Sequence, residues 1–381
     1  MKKIVFLLLI FAEHGLSQKI NVGLYFEHVV KKINFSSNTG SYLIYCDSSF
    51  IGECKLDESI TIIAQENGMK LSMGDRIILT KKAVFIPNKY RDYFQIKPII
   101  PELKSRVYEG ELHIETTKNN NLKIVNYIPL NDYLEGVVES EAGVGQTFEY
   151  YKVQSIISRT YALKNWQRHE KDGFNLCDQV HCQAYLHKRN AAKNLIDSAV
   201  VTTNNKVLIH QDTSYAPTFF HANCGGEISN PEMVWNTSIE GLSSFKDPFC
   251  THTKQATWKK TIPLEKWSSF FSKTYNFPIQ DSVHFYWMTN FSQESRLSFF
   301  IHPIFGIPLR DIREEFRLKS TFFTVSLIEN NIVLSGRGFG HGVGLCQEGA
   351  MNMTKQGYRA EDILNYYFPN SRLESVSFIR E

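Results

Sequence analysis

The chain has 381 residues, of which 43% are hydrophobic and 13% aromatic, and its formal net charge at pH 7 is +3. This length and this apolar content predict a globular protein that is large enough for two or more cores. The weak positive charge does not predict a nucleic-acid-binding surface, and no repeat of solenoid length occurs in the sequence.

The first 17 residues predict an export signal. Two lysines precede an apolar run from Ile4 to Ala12, and Gly15 and Ser17 are small residues of the kind that signal peptidase reads. The run is too short to span a bilayer, and no later segment approaches the ~20 apolar residues of a membrane-spanning helix. We therefore expect a mature chain that begins at Gln18, is exported to the periplasm or the cell wall, and has no membrane anchor. A buried N-terminal strand is the alternative interpretation.

The region from 18 to 106 carries the pattern of short β-strands. Runs such as SYLIYC, ITIIAQ, DRIILT and AVFIPN are separated by Gly, Asn and Asp, and similar runs continue to about Asn126. We therefore interpret 18–106 as a β-rich region and 107–381 as a second domain.

Helical periodicity follows in three segments. From Phe148 to His169 apolar residues recur at intervals of three and four, which predicts a helix with one buried face, and Arg159 lies outside the centre of that face. The runs AAKNLIDSAVVTT and RAEDILNYYF predict two more helices, the first leading into the strand KVLIH. From that strand to the glycine-rich run that begins at Gly336 we expect alternating short strands and loops. These patterns predict a two-lobed α+β fold, in which mostly short strands and a few helices surround a central substrate cleft.

The segment before the first helix carries the best catalytic candidate. An apolar strand or helix start leads into Glu139 and Glu141, just before a glycine-rich turn. We expect only one of the two to face a given cleft. A carboxylic acid held in a partly apolar wall can protonate a leaving oxygen. Two solvated glutamates at the end of an element are the simpler alternative.

Four of the seven cysteines suggest two disulfides in an exported chain. A hairpin could bridge Cys46 and Cys54, and a bond between Cys224 and Cys250 could close a polar, turn-rich stretch. Spacing does not determine connectivity, so free buried thiols remain the alternative for both pairs. The odd number leaves at least one cysteine, such as Cys346, outside any such pairing.

The segment HEKDGFNLCDQVHC supplies His169, Cys177, His181 and Cys182. Two thiolates and two imidazoles make the ligand set of a structural zinc site with no open position. Neighbours on a straight strand face opposite ways, so His181 and Cys182 can both be ligands only in an irregular loop. A disulfide between Cys177 and Cys182 is the alternative.

The run GRGFGHGVGLCQEGA, from Gly336 to Ala350, holds six glycines in fifteen residues. Glycine is unfavourable inside helices and strands, so such a run indicates positive φ angles or very close approach of another group. No Gly-Lys-Ser/Thr follows, and a dinucleotide-binding unit is not expected so near the end of a chain, which argues against phosphate and against an organic cofactor. We interpret the run as a binding loop.

Four blocks resemble, in order and spacing, those of the stage II sporulation protein D family, also called the amidase-enhancer family. The blocks are LNDYLEGVVESEA, VQSIISRTYALK, FFHANCGGEISNPEMVW and GRGFGHGVGLCQEGAMNMTKQGYRAEDILNYYFPNSRL, and the resemblance covers about Tyr108 to Leu373. Characterised members are lytic transglycosylases that cleave peptidoglycan glycan strands between N-acetylmuramic acid and N-acetylglucosamine. In sporulating cells these strands have lost their stem peptides.

The resemblance implies roles for individual residues and a metal. It places the acid/base glutamate at Glu141, and some members bind zinc through cysteines and histidines just after the helix, which favours a structural zinc here. The glycine run would let backbone donors approach a glycan while polar side chains bind its hydroxyl or acetamido groups. The catalytic candidates are Glu141 and Arg159, and the substrate-binding candidates are Tyr161, His221, Gly338, His341 and Gln347.

The chain departs from the family pattern at three places. It has Ala142 and Gly143 where the family reads Met-Pro, Cys346 where the family has Ser, and Val-Gln-Ser at 153–155 where the family has Ala-Gln-Ala. The resemblance therefore implies the chemistry of the family but does not extend to substrate preference.

Two other functions stay open on the sequence. A non-catalytic glycan-binding module could recruit or stimulate a cell-wall amidase, in which case Glu141 only shapes a groove. A zinc hydrolase is the other class, but a site filled by four protein ligands leaves no place for an activated water. The sequence also has no His-Glu-x-x-His motif.

Overall fold

The computed structural model describes residues 18–188, 194–301 and 306–376, so the predicted export signal lies outside the described residues. The fold is a mixed α+β fold, as predicted, with 26% helix and 34% strand. The described residues divide into two compact units, one formed by 18–133 together with 170–188, the other by 134–169, 194–301 and 306–376. Among the described residues, no helix combines the length and apolar character that a membrane crossing requires.

Two β-sheets make up the first unit. One has seven strands in the order β13-β1-β12-β11-β8-β3-β4, and the other has six in the order β10-β9-β2-β5-β6-β7. The strands are β1 (Lys19–Gly23), β2 (Lys32–Ser37), β3 (Tyr42–Cys46), β4 (Ser49–Cys54), β5 (Ser59–Gln65), β6 (Gly68–Met73), β7 (Arg76–Thr80), β8 (Lys82–Pro87), β9 (Tyr93–Ile100), β10 (Arg106–Glu109), β11 (Glu111–Thr116), β12 (Leu122–Pro129) and β13 (Leu176–Cys177).

The strands form where the sequence alternates with a period of two. In β2 every second side chain is buried, among them Ile33 and Phe35. The ring of Phe35 stacks on that of Phe85 in the other sheet, with centroids 4.3 Å apart, so the two sheets share one aromatic core. The boundary predicted at 106/107 falls inside β10. Strands β11 and β12, which follow it, still belong to the seven-stranded sheet of the first unit.

The β3–β4 hairpin excludes one of the disulfides considered. Cys54 pairs with Tyr42 at one end of the hairpin, whereas Cys46 pairs with Ser49 next to the turn. The two cysteines therefore lie at opposite ends of the hairpin, and both are free, buried thiols.

Helices and short strands make up the second unit. Helix α1 begins in the first unit, and the division between the units falls within it. The helices are α1 (Leu130–Ala142), α2 (Phe148–Lys164), α3 (Asn194–Thr202), α4 (Glu232–Trp235), α5 (Leu264–Tyr275), α6 (Ser282–Thr289), α7 (Leu309–Glu315), α8 (Gln347–Lys355) and α9 (Ala360–Tyr367). The strands are β14 (Lys206–His210), β15 (Phe220–His221), β16 (Glu227–Ile228), β17 (Phe245–Lys246), β18 (Thr257–Pro263), β19 (Phe323–Ile328), β20 (Asn331–Arg337), β21 (Leu345–Cys346) and β22 (Ser371–Ser375).

Helix α2 confirms the main helical prediction, although it ends at Lys164 rather than His169. The hydroxyl of Thr147 accepts a hydrogen bond from the backbone N–H of Tyr150 at 3.2 Å, which caps the first turn. The helix is buried on almost every side from Tyr150 to Ala162, and it packs against α3, β14, α8 and α9. Such all-round burial makes α2 the central element of this unit.

The prediction of only strands and loops before the glycine run is wrong. Helices α5, α6 and α7 occupy much of the region from 264 to 315, and with the three-stranded sheet β18-β20-β19 they enclose a separate aromatic core. Trp267 and Phe271, one turn apart on α5, are fully buried in it. Helices α5 and α6 are short and rich in Phe, Tyr and Trp, which favour strands, so local preference pointed away from helix there.

This core gives a first prediction. Trp267→Ala should lower the free energy of unfolding of the second unit by about 3–5 kcal/mol, because the large cavity cannot collapse completely. Trp287→Ala is the matched control, since Trp287 on α6 is 40% exposed, and it should change stability by about 0.5 kcal/mol. Urea denaturation followed by circular dichroism measures both variants, and equal losses would contradict this account of the core.

Candidate functional site

Two segments distant in sequence interlock to form the centre of the candidate site. Strand β15 lies parallel to β21, with Phe220 opposite Leu345 and His221 opposite Cys346. One bridge further on, Asn223 and Phe339 exchange both backbone hydrogen bonds, at 3.0 and 2.8 Å. The glycine run and the block FFHANCGG therefore form one backbone structure, which we call the interlock.

The glycines make this interlock possible. Gly338 has a φ of +77°, and a Cβ there would lie 2.6 Å from the carbonyl oxygen of Asn223. Gly225, with a φ of +70°, meets the backbone of Arg337 in the same way at 2.8 Å. Gly338 thus faces protein backbone, and its predicted contact with a glycan needs correction, because the space that a side chain would fill is already taken.

His221 is a buried, neutral histidine beneath the loop. Its Nδ1–H donates to the carbonyl of Val343 at 3.1 Å, and its Nε2 is buried without a hydrogen-bond partner among the described residues. Burial lowers the pKa of His221 well below its ordinary value, and the nearby ring of His341, 5.4 Å away between centroids, adds to this effect. His221 Nε2 is therefore a buried hydrogen-bond acceptor within the interlock.

His341 is also neutral, and its ring nitrogens are already in use. Nδ1 accepts from the backbone N–H of Val343 at 3.0 Å, and Nε2–H donates to the carbonyl of Phe220 at 3.0 Å. Burial lowers the pKa of His341 to about 4. The expectation that these nitrogens bind sugar groups is therefore not supported. The imidazole instead holds the glycine loop against β15.

A row of aromatic rings leads from the interlock to an open groove. Centroids lie 6.5 Å apart between Tyr161 and Phe219, 4.8 Å between Phe219 and Trp235, and 5.3 Å between Trp235 and His341. Tyr161 is buried and supports the row from behind, whereas Trp235 is 37% exposed. The groove has a volume of about 570 Å³, and its walls include Trp235, Arg310, Asp311, Arg313, Glu314 and His341.

The two candidate glutamates lie on helix α1 and not on a strand. Residues two apart would share a face on a strand, but on a helix they are about 200° apart around the axis, so these side chains point to roughly opposite sides. Glu139 is 8% exposed, whereas Glu141, in the last turn, is half-buried. Gly143, with a φ of +67°, ends the helix by donating its N–H to the carbonyl of Glu139. Glu141 is therefore the more accessible of the two carboxyl groups.

Gln347 joins Glu141 to the interlock. Its amide nitrogen donates to the backbone carbonyl of Glu141 at 3.2 Å and to the side-chain oxygen of Gln154 at 3.3 Å. Gln154, buried in α2, also accepts from the Tyr150 hydroxyl at 3.2 Å and donates to Ser158 at 3.1 Å. Gln347 thus holds the end of α1 by hydrogen bonds within the protein. Sequence reasoning did not identify Gln154 as the partner of Gln347, or Tyr150 as the partner of Gln154. The sequence feature that could have revealed them is a glutamine on the apolar face of a predicted helix.

Arg159 has a structural role, which corrects its assignment as a catalytic candidate. The side chain is fully buried, and its guanidinium donates to the carbonyls of Val200, Thr203 and Lys206 at 2.7 to 3.3 Å. The carbonyls of Val200 and Thr203 lie at the end of α3, where helical carbonyls lack partners within the helix, and Lys206 begins β14. Arg159 therefore joins α2 to α3.

The Cys/His segment forms a compact cluster in the first unit. After β13 the chain turns so that Cys177 Sγ lies 3.4 Å from His181 Nδ1, and Cys182 Sγ lies 3.9 Å from His181 Nε2. Both cysteines are free thiols, and Cys177 Sγ accepts from the backbone N–H of Gln179 at 3.4 Å. The loop is irregular, as a shared ligand role for neighbouring residues requires. His169 belongs to the second unit, and its role as a ligand stays a prediction.

Comparison with known proteins shows which family this chain is similar to. The profile of the stage II sporulation protein family matches residues 118–210. The chain is 27% identical to stage II sporulation protein D of Bacillus subtilis over 68% of this chain and 78% of that protein. It is 25% identical to an uncharacterized protein of Brachyspira hyodysenteriae, over 81% and 80% respectively. It is also 25% identical to the amidase enhancer of Bacillus subtilis, over 64% of this chain and 40% of that protein.

The matched profile spans α1, α2 and the Cys/His loop, and the longer alignments with the relatives extend the likeness over most of the chain. These findings agree with the four sequence blocks, which the fold brings together around the interlock and the end of α1. The chain thus resembles the stage II sporulation protein D family, in the matched profile and in its similarity to relatives that bear this name.

Proposed function

We propose that this protein is an exported lytic transglycosylase that cleaves peptidoglycan glycan strands after N-acetylmuramic acid. A role at the cell wall is supported by its relatives, named stage II sporulation protein D and amidase enhancer. The observation that carries the finer proposal is Glu141, a half-buried carboxyl group at the end of α1 whose backbone is held by Gln347.

The proposed reaction needs one carboxyl group. Glu141 first protonates the glycosidic oxygen, so that the bond from C1 of the muramic acid breaks and the N-acetylglucosamine leaves as an alcohol. The 6-hydroxyl of the same muramic acid then attacks C1, and the Glu141 carboxylate takes up its proton. The product ends in a 1,6-anhydro ring. A hydrolase would need a second carboxylate for water, but here the nucleophile belongs to the substrate.

The position of Glu141 suits the acid step. The C-terminal end of a helix carries partial negative charge, which disfavours a carboxylate and favours the form that carries a proton. The loop that follows, from Gly143 to Gly145, has open space around both glycines, so a large polymer can approach this end of α1. Glu139 on the opposite side is buried and is not assigned a chemical role.

The groove beside Trp235 supports a glycan as ligand. An exposed indole offers a flat apolar face to a sugar ring, and the surrounding charged side chains offer hydrogen-bond partners for hydroxyl groups. Arg310 and Arg313 both line the groove. Guanidinium groups match carboxylates in shape and charge, so they suit the lactyl carboxylate that muramic acid exposes after its stem peptide is removed. We therefore propose peptide-stripped strands as substrate.

A second function is favoured by the likeness to the amidase enhancer. The protein would then bind glycan strands in the same groove and stimulate a cell-wall amidase without cleaving them. In that case Glu141 would have no chemical task, so its substitution separates the two functions.

Zinc is proposed as a structural cofactor of the Cys/His cluster. The sulfur and nitrogen atoms of Cys177, His181 and Cys182 converge, and two thiolates with an imidazole are suitable ligands for this ion. His169 completes the set as the sequence predicts. With four protein ligands the ion would hold the loop together and would have no free position for a substrate.

The acid/base proposal predicts a large effect of Glu141→Gln. Glutamine keeps the size of the side chain but cannot transfer a proton, so activity should fall roughly 10²- to 10⁴-fold. Glu139→Gln is the matched control and should retain most of the activity per folded molecule. The assay is mass spectrometry of 1,6-anhydro-muramyl products released from amidase-treated peptidoglycan.

Two outcomes would decide against the enzyme. If the wild-type protein binds the strands and releases no product, the amidase-stimulating module becomes the better account. If both glutamine variants lose activity equally while their folds remain intact, Glu141 has no special role. Stimulation of an amidase by Glu141→Gln at the wild-type level would support the second function directly.

The groove gives a separate binding prediction. Trp235→Ala should weaken binding of peptide-stripped glycan several-fold with little change in melting temperature, because the side chain is partly exposed. Trp287→Ala is the control, since Trp287 is a tryptophan of similar exposure outside the groove. Unchanged glycan binding by Trp235→Ala in pull-down with insoluble strands would remove the groove from the proposal.

His341→Ala should instead lower the melting temperature, because it removes both hydrogen bonds that hold the loop.

The metal proposal predicts a difference in zinc content. The double variant Cys177→Ser, Cys182→Ser should carry about one zinc ion fewer per chain than the wild type and should melt at a lower temperature. Cys54→Ser changes another buried thiol of the same unit and should leave the zinc content unchanged. Elemental analysis of protein purified without a histidine tag gives the counts. Equal zinc in wild type and double variant, together with a mapped disulfide between these cysteines, would overturn the proposal.

A further inference from the structure

A second group of metal-binding side chains lies behind the interlocked segments. Cys224, Asp247, Cys250 and Cys346 are all fully buried, and one ligand atom of each lies within 4.8 Å of those of the other three. Cys224 Sγ is 3.2 Å from Cys250 Sγ and 3.3 Å from Asp247 Oδ2. This group is distinct from the Cys/His cluster, because all four members belong to the second unit.

Three separate elements bring the group together. Cys224 follows β15, Cys346 ends β21, and Asp247 with Cys250 lies on the turn after β17. Asp247 caps the short 3₁₀ turn Pro248–Cys250, where its Oδ1 accepts from the backbone N–H of Phe249 at 3.0 Å. Its other oxygen, Oδ2, points at the sulfurs and accepts from the Tyr367 hydroxyl at 2.9 Å. The residues are too far apart in sequence to give a finger-like spacing.

We infer that Cys224, Asp247, Cys250 and Cys346 form a second four-ligand metal site that binds zinc. Three thiolates and one carboxylate oxygen are all accepted zinc ligands, and such a set favours a tetrahedral ion over calcium or magnesium. Sulfurs that share a tetrahedral zinc lie about 3.8 Å apart, given Zn–S bonds of about 2.3 Å. In a Cys224–Cys250 disulfide, which is the alternative, the two sulfurs would lie about 2.05 Å apart. Their distance of 3.2 Å is closer to the zinc value than to the disulfide value.

The balance of protons and charge is simple. Each thiol releases its proton to solvent when zinc binds, and Asp247 binds through Oδ2, which now accepts from the Cys224 thiol. The four anionic ligands then exceed the charge of zinc by two. Arg296, itself only 4% exposed, places its guanidinium beside the group and donates to the carbonyls of Cys224 and Glu227 at 2.7 and 2.8 Å. A buried cation at this place offsets part of that excess.

The surroundings resemble the outer shell of a metal centre. The backbone N–H of Cys224 donates to Cys346 Sγ at 3.3 Å, and the Tyr367 hydroxyl donates to Asp247. Hydrogen bonds of this kind orient metal ligands and stabilise their negative charge. With four protein ligands the site has no open position, so its role is structural. It would fasten the segments that carry His221 and Gln347, whether or not the protein cleaves glycans.

The test uses zinc and thiol counts on the full mature chain, purified without a histidine tag. The Cys177→Ser, Cys182→Ser variant should retain about one zinc ion per chain, and adding Cys346→Ser to it should remove that ion. Adding Cys46→Ser instead is the matched control and should leave the ion in place, because Cys46 is buried but lies outside both groups. Circular dichroism checks that each variant is folded.

Wild-type protein gives an independent measurement that needs no folded variant. After denaturation with a chelator and without reductant, all seven cysteines should react with a thiol reagent. Five reactive thiols with a mapped Cys224–Cys250 disulfide would overturn the inference. Absence of zinc from the folded Cys177→Ser, Cys182→Ser variant, or zinc retained after Cys346→Ser, would also overturn it. The proposed glycan cleavage is unaffected by these outcomes, since it is tested by product release.

Discussion

The second unit depends on the close contact between two backbone segments, β15 with the turn after it and the glycine run that ends in β21. Parallel pairing and the bridge between Asn223 and Phe339 leave no room for side chains at Gly225 and Gly338, so the contact exists only because both are glycine. Cys346 and Gln347 follow directly from this contact. Through Gln347 it also holds the backbone of Glu141 at the end of α1.

The residues around this contact divide into a supporting set and an accessible set. His341 binds backbone through both nitrogens, and Arg159 binds carbonyls at the end of α3, so neither side chain is available to a ligand through these groups. Because burial lowers the pKa of both His221 and His341, the interlock carries no histidine charge near neutral pH. The exposed ring of Trp235 and the half-buried carboxyl of Glu141 remain accessible, as the proposed glycan binding requires.

Metal ions, if bound as proposed, would serve the two units in different ways. The Cys/His loop joins neighbours in sequence, so a zinc ion there would order a short irregular turn. Cys224 and Cys346 are 122 positions apart, and a shared ion would close a long loop. Closing a longer loop removes more conformational freedom from the unfolded chain, so the second ion would contribute more to the stability of the fold.

The sequence by itself determined those features that depend on neighbouring residues. Alternation of period two predicted the strands of the first unit, and the period of the helix predicted α2 and α9, because in both cases one face must be buried. Contacts between distant positions were decided by the tertiary structure alone. Helices α5 and α6 form against local preference because they pack on a shared aromatic core. The glycine run packs on backbone and Arg159 on α3 because their partners lie some 40 to more than 100 residues away, beyond the reach of any local pattern.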